Sequence, residues 1–184
     1  MSARVVGLGH VGIYVQDLDK MKAFYQDFMG MTLTKVSDQS AFFSTDPDRT
    51  DHEIALMPGR PSADDPHVIQ QISMRAETLD DLRDFYRRIK AQGYQLDSLV
   101  THASAIGCYF RDPENNRTEV FWLTGLPSWA GVGVPIDIER PDEEVMADVH
   151  RVWNTVSHVA MGEKPDADTR AAIRELNAAA VAAR

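Results

Sequence analysis

The sequence contains a single cysteine, Cys108, so no disulfide can form within the chain. Basic residues are also scarce, since 19 Lys and Arg stand against 28 Asp and Glu and leave a net charge of −9. Nucleic acids and anionic membranes carry the same sign of charge, so we expect neither as a partner. The lone cysteine favours a reducing compartment and is expected to be a small core residue.

Long hydrophobic runs are missing as well. No apolar stretch approaches the length of a membrane span, and the N-terminus, MSARVVGLGH, has neither the basic head nor the apolar stretch of a signal peptide. We therefore expect a cytoplasmic protein. With 184 residues and 43% hydrophobic content, the chain can bury a core as one domain or as two small fused modules.

The most informative stretch runs from Ile106 to Trp122, IGCYFRDPENNRTEVFW. Its centre has the composition of a turn, and the aromatic and β-branched residues on both sides predict a β-hairpin. If Arg111 pairs with Arg117 across the turn, Tyr109 lies opposite Glu119 and on the same face of the hairpin. A lone glutamate in a strand is usually solvated, but a carboxylate beside a phenol among aromatic residues indicates a ligand or acid/base role equally well, and both interpretations stay open at this point.

The chain also contains an internal duplication. A strand at 8–15 is followed by a helix up to Gly30 and by three short strands, and after a breaker-rich linker at 58–66 the same pattern starts again at Ile69. The two helices match residue for residue: Leu18 with Leu79, Asp19 with Asp80, and Phe24-Tyr25 with Phe85-Tyr86. The alignment also places Ala55 opposite Glu119.

These patterns predict an α+β fold. Residues 1–60 and 67–124 would form two paired βαβββ modules, whose strands make a cupped mixed sheet around a cavity. Residues 125–184 would form an extended strap and two helices, about 141–159 and 166–182. The helices have too few large apolar residues for a separate domain, so we expect them to pack on the modules or on a second subunit.

With these residues identified, the chain resembles the vicinal oxygen chelate superfamily, which includes glyoxalase I, bleomycin-resistance proteins and extradiol dioxygenases. The hairpin pattern Tyr-Phe-x-Asp-Pro-x-x-Asn-Arg-x-Glu-Val-Phe, which begins at Tyr109, is similar to the last module of catechol 2,3-dioxygenase-type enzymes. The resemblance implies a divalent metal, Fe(II) first and Mn(II), Zn(II) or Ni(II) as alternatives. It also implies a small aromatic substrate that reacts with O₂, and we expect a homodimer.

The same resemblance implies a set of metal ligands. His10 and Glu119 match the first and third ligands of the dioxygenases, and Gln71 stands where those enzymes have a second histidine. Glutamine offers a neutral amide oxygen, a weaker donor than imidazole, although some glyoxalases of the superfamily use it. A glyoxalase I would have a further glutamate where this chain has Ala55; Glu53 could replace it only after a register slip of two residues.

Two further residues are candidates for catalysis. Tyr109 matches the tyrosine that hydrogen-bonds the catecholate in extradiol enzymes, and His102 lies close to the position of their acid/base histidines. Of the other histidines, His52 is expected at the surface near a turn and His67 in a solvated linker.

The predicted function is metal-dependent extradiol cleavage of a catechol-type diol. Two alternatives stay open. One is another metal-dependent reaction of the superfamily, as in a glyoxalase, isomerase or lyase. The other is a metal-free protein that binds a small molecule.

Overall fold

The structure is a computed structural model that describes residues 3–23, 25–26, 31–60, 69–111 and 117–182. Its elements follow the order expected from the duplication. They are β1 (Leu8–Val15), α1 (Leu18–Ala23), β2 (Thr32–Ser37), β3 (Ser40–Ser44) and β4 (Ile54–Pro58); then β5 (Ile69–Arg75), α2 (Leu79–Ala91), β6 (Leu96–Thr101), β7 (Ala105–Arg111) and β8 (Arg117–Leu123); and finally β9 (Val134–Pro135), α3 (Asp142–Val156) and α4 (Ala167–Ala182).

The strands form one curled mixed sheet in the order β2-β3-β4-β1-β5-β8-β7-β6-β9. The leading strands β1 and β5 pair antiparallel at its centre, and each also pairs parallel with the closing strand of its own unit, β4 or β8. Strands β1, β5 and β8 are therefore neighbours, although they are far apart in the sequence. The predicted α+β fold, with a cupped mixed sheet and C-terminal helices, is confirmed.

The hairpin of β7 and β8 has the predicted register, with Arg111 opposite Arg117 and Tyr109 opposite Glu119. Its turn, 112–116, lies outside the described residues. The face away from Glu119 is apolar, and it places Cys108 in the core of the second module, as expected. One face of the hairpin is thus free to carry polar groups.

The helices form where local signals and burial agree. In α2, Thr78 and Asp81 make a reciprocal capping box, and Leu79, Leu82 and Ile89 are buried against the sheet. In α1, Asp17 Oδ1 accepts a hydrogen bond from the Lys20 amide at 2.9 Å, so Asp17 caps the start of the helix. The expected continuation of this helix to Gly30 falls partly on residues outside the described ranges.

The C-terminal helices pack on the second module. Val145 and Val149 of α3 belong to the core of that module, and Val152 and Val156, on the following turns, pack against the segment before β9. These valines recur at helical spacing, so a single face of α3 packs against one side of the sheet. Within the described ranges, no helix has both the length and the apolar character needed to cross a membrane.

Candidate functional site

The inner face of the curled sheet encloses a cavity of about 780 Å³, within the size range of small-molecule sites. Residues of both modules and of the segment before β9 contribute to its wall. Much of the wall is apolar, with Phe42, Met57, Val100, Phe121 and Val132 among its residues. Polar side chains converge in one part of it.

Three side chains on neighbouring central strands meet in this cavity: His10 of β1, Gln71 of β5 and Glu119 of β8. Gln71 Nε2 lies 3.0 Å from both His10 Nε2 and Glu119 Oε2, and the last two atoms are 3.6 Å apart. Ligands held about 2.1 Å from one ion at a right angle would lie about 3.0 Å apart, so the spacing suits a single cation. We call these three residues the ligand cluster.

Ser73 is a fourth member of this network that the sequence interpretation missed. Its Oγ donates to Glu119 Oε2 at 2.5 Å and lies 2.9 Å from His10 Nε2. Ser73 follows Gln71 by two residues on β5 and so shares its face of the strand. The period-2 pattern that selected Gln71 could therefore have found Ser73.

The charge balance of the ligand cluster favours a cation. Glu119 is only 2% exposed, and burial raises the pKa of its carboxyl group, against the effect of the hydrogen bond from Ser73. Burial, followed by the nearby His52, lowers the pKa of His10 to about 2, so its imidazole is neutral and free to act as a ligand. The cationic Arg117 compensates the buried carboxylate only in part, since the pKa of Glu119 stays raised, and a divalent ion would supply further positive charge.

A metal at the ligand cluster would need a ligand in addition to His10 and Glu119. In the described part of the chain, no group of three His, Cys, Asp or Glu is arranged to hold a metal, so Gln71 or Ser73 would have to complete the set. The position of a glyoxalase-type fourth ligand, Ala55, is a fully buried alanine. Glu53 is not a substitute, since its carboxylate accepts from the Thr45 amide at 2.7 Å.

His52 corrects the sequence interpretation, which had placed it at the surface. Its side chain is 14% exposed, and its ring centroid lies 4.2 Å from that of His10. His52 Nδ1 lies 3.1 Å from Asp51 Oδ2, which also pairs with the ammonium of Lys35 at 2.6 Å. His52 lines the cavity, and its Nε2 is buried and has no hydrogen-bond partner among the described residues. His52 precedes β4, which begins at Ile54, so the alternation of strand residues does not determine the direction of its side chain. His67 lies outside the described residues.

His102 and Tyr109 form a second polar pair in the cavity. His102 Nδ1 donates to the carbonyl of Val132, which can only accept, so the Tyr109 hydroxyl donates to His102 Nε2 at 2.8 Å. Burial lowers the pKa of His102 to about 4, and burial with the nearby Glu119 raises that of Tyr109 well above its usual value. The next residue, Ala103, has a left-handed φ of 66°, a strained conformation of a kind often found at functional sites.

Comparison with known families adds a decisive observation. A sequence model described as the Glyoxalase/Bleomycin resistance protein/Dioxygenase superfamily matches residues 7–120, well over half of the chain and including the whole ligand cluster. The chain belongs to this superfamily. The match ends within β8, before the strap and the C-terminal helices.

Solved structures of this superfamily resemble the chain over about two thirds of its length. They include a Mn(II)-bound glyoxalase from Novosphingobium aromaticivorans, with 25% identity, a TM-score of 0.57, and coverage of 65% of this chain and 40% of that one. Homoprotocatechuate 2,3-dioxygenase from Brevibacterium fuscum has 16% identity, a TM-score of 0.57, and coverage of 67% and 38%. The 2,3-dioxygenase LapB from Pseudomonas sp. KL28 has 20% identity, a TM-score of 0.54, and coverage of 64% and 42%.

The chain thus spans about two fifths of the length of each of these proteins. At this level of identity, the likeness to the dioxygenases shows the fold. The comparison with curated proteins finds no match. Which reaction of the superfamily this chain performs must therefore be argued from its own site.

Gly107 makes room for the Glu119 carboxylate in this member of the superfamily. A Cβ at this position would overlap Glu119 Oε1 and lie 3.0 Å from the Tyr109 ring. Gly107→Ala should therefore displace the carboxylate and weaken divalent-metal binding by about 10–100-fold. Titration with Mn(II) would measure the change. Gly7→Ala is the control, since nothing lies within 4 Å of a Cβ there; an equal affinity in both variants would contradict the expectation.

The buried histidines predict that the metal-free protein is sensitive to acid. The pKa values of His10, His52 and His102 all lie below the value of about 6.5 expected in the unfolded chain. Between that value and its folded pKa, each histidine takes up its proton only on unfolding. Each therefore lowers the free energy of unfolding by about 1.4 kcal/mol per pH unit as the pH falls below 6.5.

Glu119 has the opposite effect. Its pKa is raised in the folded protein, so its protonation at low pH stabilises the folded state. Three histidines outweigh this one carboxyl group. Urea unfolding of metal-free protein at pH 8, 6.5 and 5.5 should show a small loss of stability at pH 6.5, where the unfolded histidines are half protonated, and a much larger loss at pH 5.5. His102→Asn, which keeps a donor for Val132, should reduce the loss. His150→Asn, on the exposed side of α3, should not.

Proposed function

We propose that this protein is a metal-dependent extradiol dioxygenase that opens the ring of a catechol-type aromatic diol. The observation that carries the proposal is the placement of acid/base groups around the ligand cluster. A diol bound there would meet the unpartnered Nε2 of His52 and the His102–Tyr109 pair. A glyoxalase would instead be expected to use a fourth ligand, and Ala55 stands in its place.

The metal would be held by His10 Nε2, the Glu119 carboxylate and the carboxamide oxygen of Gln71. The two ends of a carboxamide have the same shape, so half a turn of the side chain would present oxygen in place of Nε2. When bound, a divalent metal supplies the Lewis acidity that lowers the pKa of a diol hydroxyl and the electron transfer that reaction with O₂ requires. Fe(II) suits this chemistry, with Mn(II) as the first alternative. Zn(II) and Ni(II) are alternatives for the reactions of the superfamily that need a Lewis acid but no electron transfer.

The chain's own residues would handle the proton. Asp51 accepts the Nδ1 proton of His52, which leaves a lone pair on Nε2. Because His52 lines the cavity, this nitrogen would take a proton from a diol hydroxyl. The same proton would later return to the ring-opened product, so ring cleavage would need no net proton transfer to solvent. Tyr109 would orient the second substrate oxygen, and the rings of Phe42 and Phe121 would exclude water from it.

The test uses protein purified without chelators, loaded with Fe(II) under anaerobic conditions and mixed with air and a panel of catechols. The expected result is one O₂ consumed per diol and a ring-opened product by mass spectrometry. Conversion of a substrate without O₂ consumption would contradict the proposal and favour an isomerase or lyase.

A metal-free binding protein is the second candidate, because hydrogen bonds already satisfy the cluster. Ser73 and Gln71 both donate to Glu119, and the same two side chains lie within hydrogen-bond distance of His10 Nε2. Metal analysis after loading and gel filtration separates the two functions. One equivalent of metal supports the enzyme, and its stoichiometric absence supports the binding protein.

Gln71→His is expected to tighten Fe(II) binding by at least about 10-fold, because imidazole is the better donor to iron than a neutral amide. Competition with a chromophoric chelator under anaerobic conditions would measure it. The matched control is Gln70→His, which changes the neighbouring cavity residue outside the ligand cluster. An unchanged affinity in the Gln71 variant would remove that residue from the metal site.

A further inference from the structure

The segment that joins β8 to β9, residues 125–133, forms part of the cavity wall although it lies outside the superfamily match. We call this segment the strap. It is fixed in place: Ala130 and Val132 pack in a core with Val152 and Val156 of α3, and Trp153 Nε1 donates to the carbonyl of Pro127 at 2.8 Å. The strap is therefore a preformed wall with its own packed support.

Side chains alternate along the strap. All four residues from Ala130 to Gly133 contribute to the cavity wall. Ala130, Val132 and the following Val134 are buried and pack with α3, whereas Gly131 and Gly133, between them, are exposed. Neither glycine has a left-handed φ, so the backbone does not require glycine at either position. What both glycines provide is the absence of a side chain.

The space beside each glycine belongs to the cavity. A Cβ at Gly131 would meet Phe42 Cε2 and Ser40 Oγ at 3.9 Å, and a Cβ at Gly133 would meet His102 Cε1 at 3.6 Å. All three of these neighbours line the cavity. A small side chain would fit without a clash, and a larger one would have to extend into the space that a ligand occupies.

The size of the cavity indicates what that space is for. About 780 Å³ lies in the upper part of the range of about 300–1,000 Å³ that drug-sized ligands occupy, and a single-ring diol is far smaller than such ligands. The His102–Tyr109 pair connects the ligand cluster to the strap, since His102 bonds both Tyr109 and the strap carbonyl of Val132. A molecule held at the cluster can therefore extend past His102 towards the strap glycines.

We propose that Gly131 and Gly133 determine specificity by leaving room for a bulky apolar group, such as a second ring, on the molecule bound at the ligand cluster. That this molecule is a diol rests on the proposed function. The space beside Gly131 and Gly133 is a feature of the cavity and does not depend on that proposal. The strap is then the element that selects ligand size.

Gly131→Leu tests this proposal, with Gly131→Ala as a milder second variant if the larger one folds poorly. Gly7→Leu is the matched control, because position 7 faces open space and lies outside the cavity wall. The metal-loaded proteins are compared with catechol and with 2,3-dihydroxybiphenyl by O₂ uptake. Wild-type protein should prefer the biaryl diol, and Gly131→Leu should lower its kcat/KM at least 10-fold while that of catechol changes less than 3-fold. An equal change for both diols would overturn the proposal.

A second measurement does not depend on turnover or metal. The fluorescent probe 1-anilinonaphthalene-8-sulfonate should bind metal-free wild-type and Gly7→Leu protein in the cavity and bind Gly131→Leu at least 10-fold more weakly. Equal binding to all three would overturn the strap proposal. If the probe result is as expected and neither diol reacts, the strap proposal is supported and the dioxygenase proposal fails on its own.

Discussion

Glu119→Gln is expected to raise the melting temperature of the metal-free protein and, at the same time, to remove its ability to bind a divalent metal. The substitution keeps an oxygen that can accept from Ser73 and removes a carboxylate that is 2% exposed. Burying a charge without a full partner is unfavourable, and neutral replacements of buried charges are often stabilising. For a chain of this size, each kcal/mol gained should raise the melting temperature by about 2–4 °C.

The loss of function should be much larger than the gain in stability. Without the only anionic member of the ligand cluster, metal affinity should fall by at least about 100-fold, and diol turnover should fall with it. Calorimetry and metal titration on the same preparation measure both effects. The control is Glu53→Gln, whose carboxylate is bound to Thr45 and not to the cluster. A Glu119→Gln protein that is less stable than wild type and still binds metal would contradict the metal-site assignment.

The parts of the site that could be predicted from the sequence are those governed by strand periodicity. Tyr109 faces Glu119 because Arg111 pairs with Arg117, which is the register predicted from the composition of this stretch of the sequence. His10 and Gln71 meet because the duplicated units pair through their leading strands, which the repeat made visible. The alternation of residues along each strand and the internal duplication together determine which strand faces line the same cavity.

His52 and the strap could not be placed in this way. His52 precedes β4 in a loop, so its direction depends on the Asp51–Lys35 pair, and Lys35 lies on a different strand. The strap is predicted to be extended, but its position against the cavity depends on its packing with the valines of α3. That packing is visible only in the folded core. Contacts between separate elements, rather than periodicity within one, decide both features.

His52→Asn is expected to lower kcat with a catechol by about 10²–10⁴-fold, the usual contribution of a positioned general base. The asparagine amide can occupy the place of Nδ1 and keep the hydrogen bond to Asp51, but it presents no base to the cavity. Metal content should be unchanged, since His52 is not in the ligand cluster. His150→Asn, on an exposed part of α3, is the control and should leave turnover unchanged.

The acidity of the substrate separates a proton-transfer role from a structural one. A diol with an electron-withdrawing substituent ionises more readily, so it needs less help from a base before it reacts. If His52 Nε2 takes the diol proton, the kcat deficit of His52→Asn should shrink by at least 10-fold with such a diol. If His52 only supports the ring of His10, with which it is in contact, the deficit should be the same for every diol and metal should be lost as well. Rapid-mixing measurements with the two diols, on protein of known metal content, distinguish these outcomes, and an equal deficit for both would exclude His52 as the base.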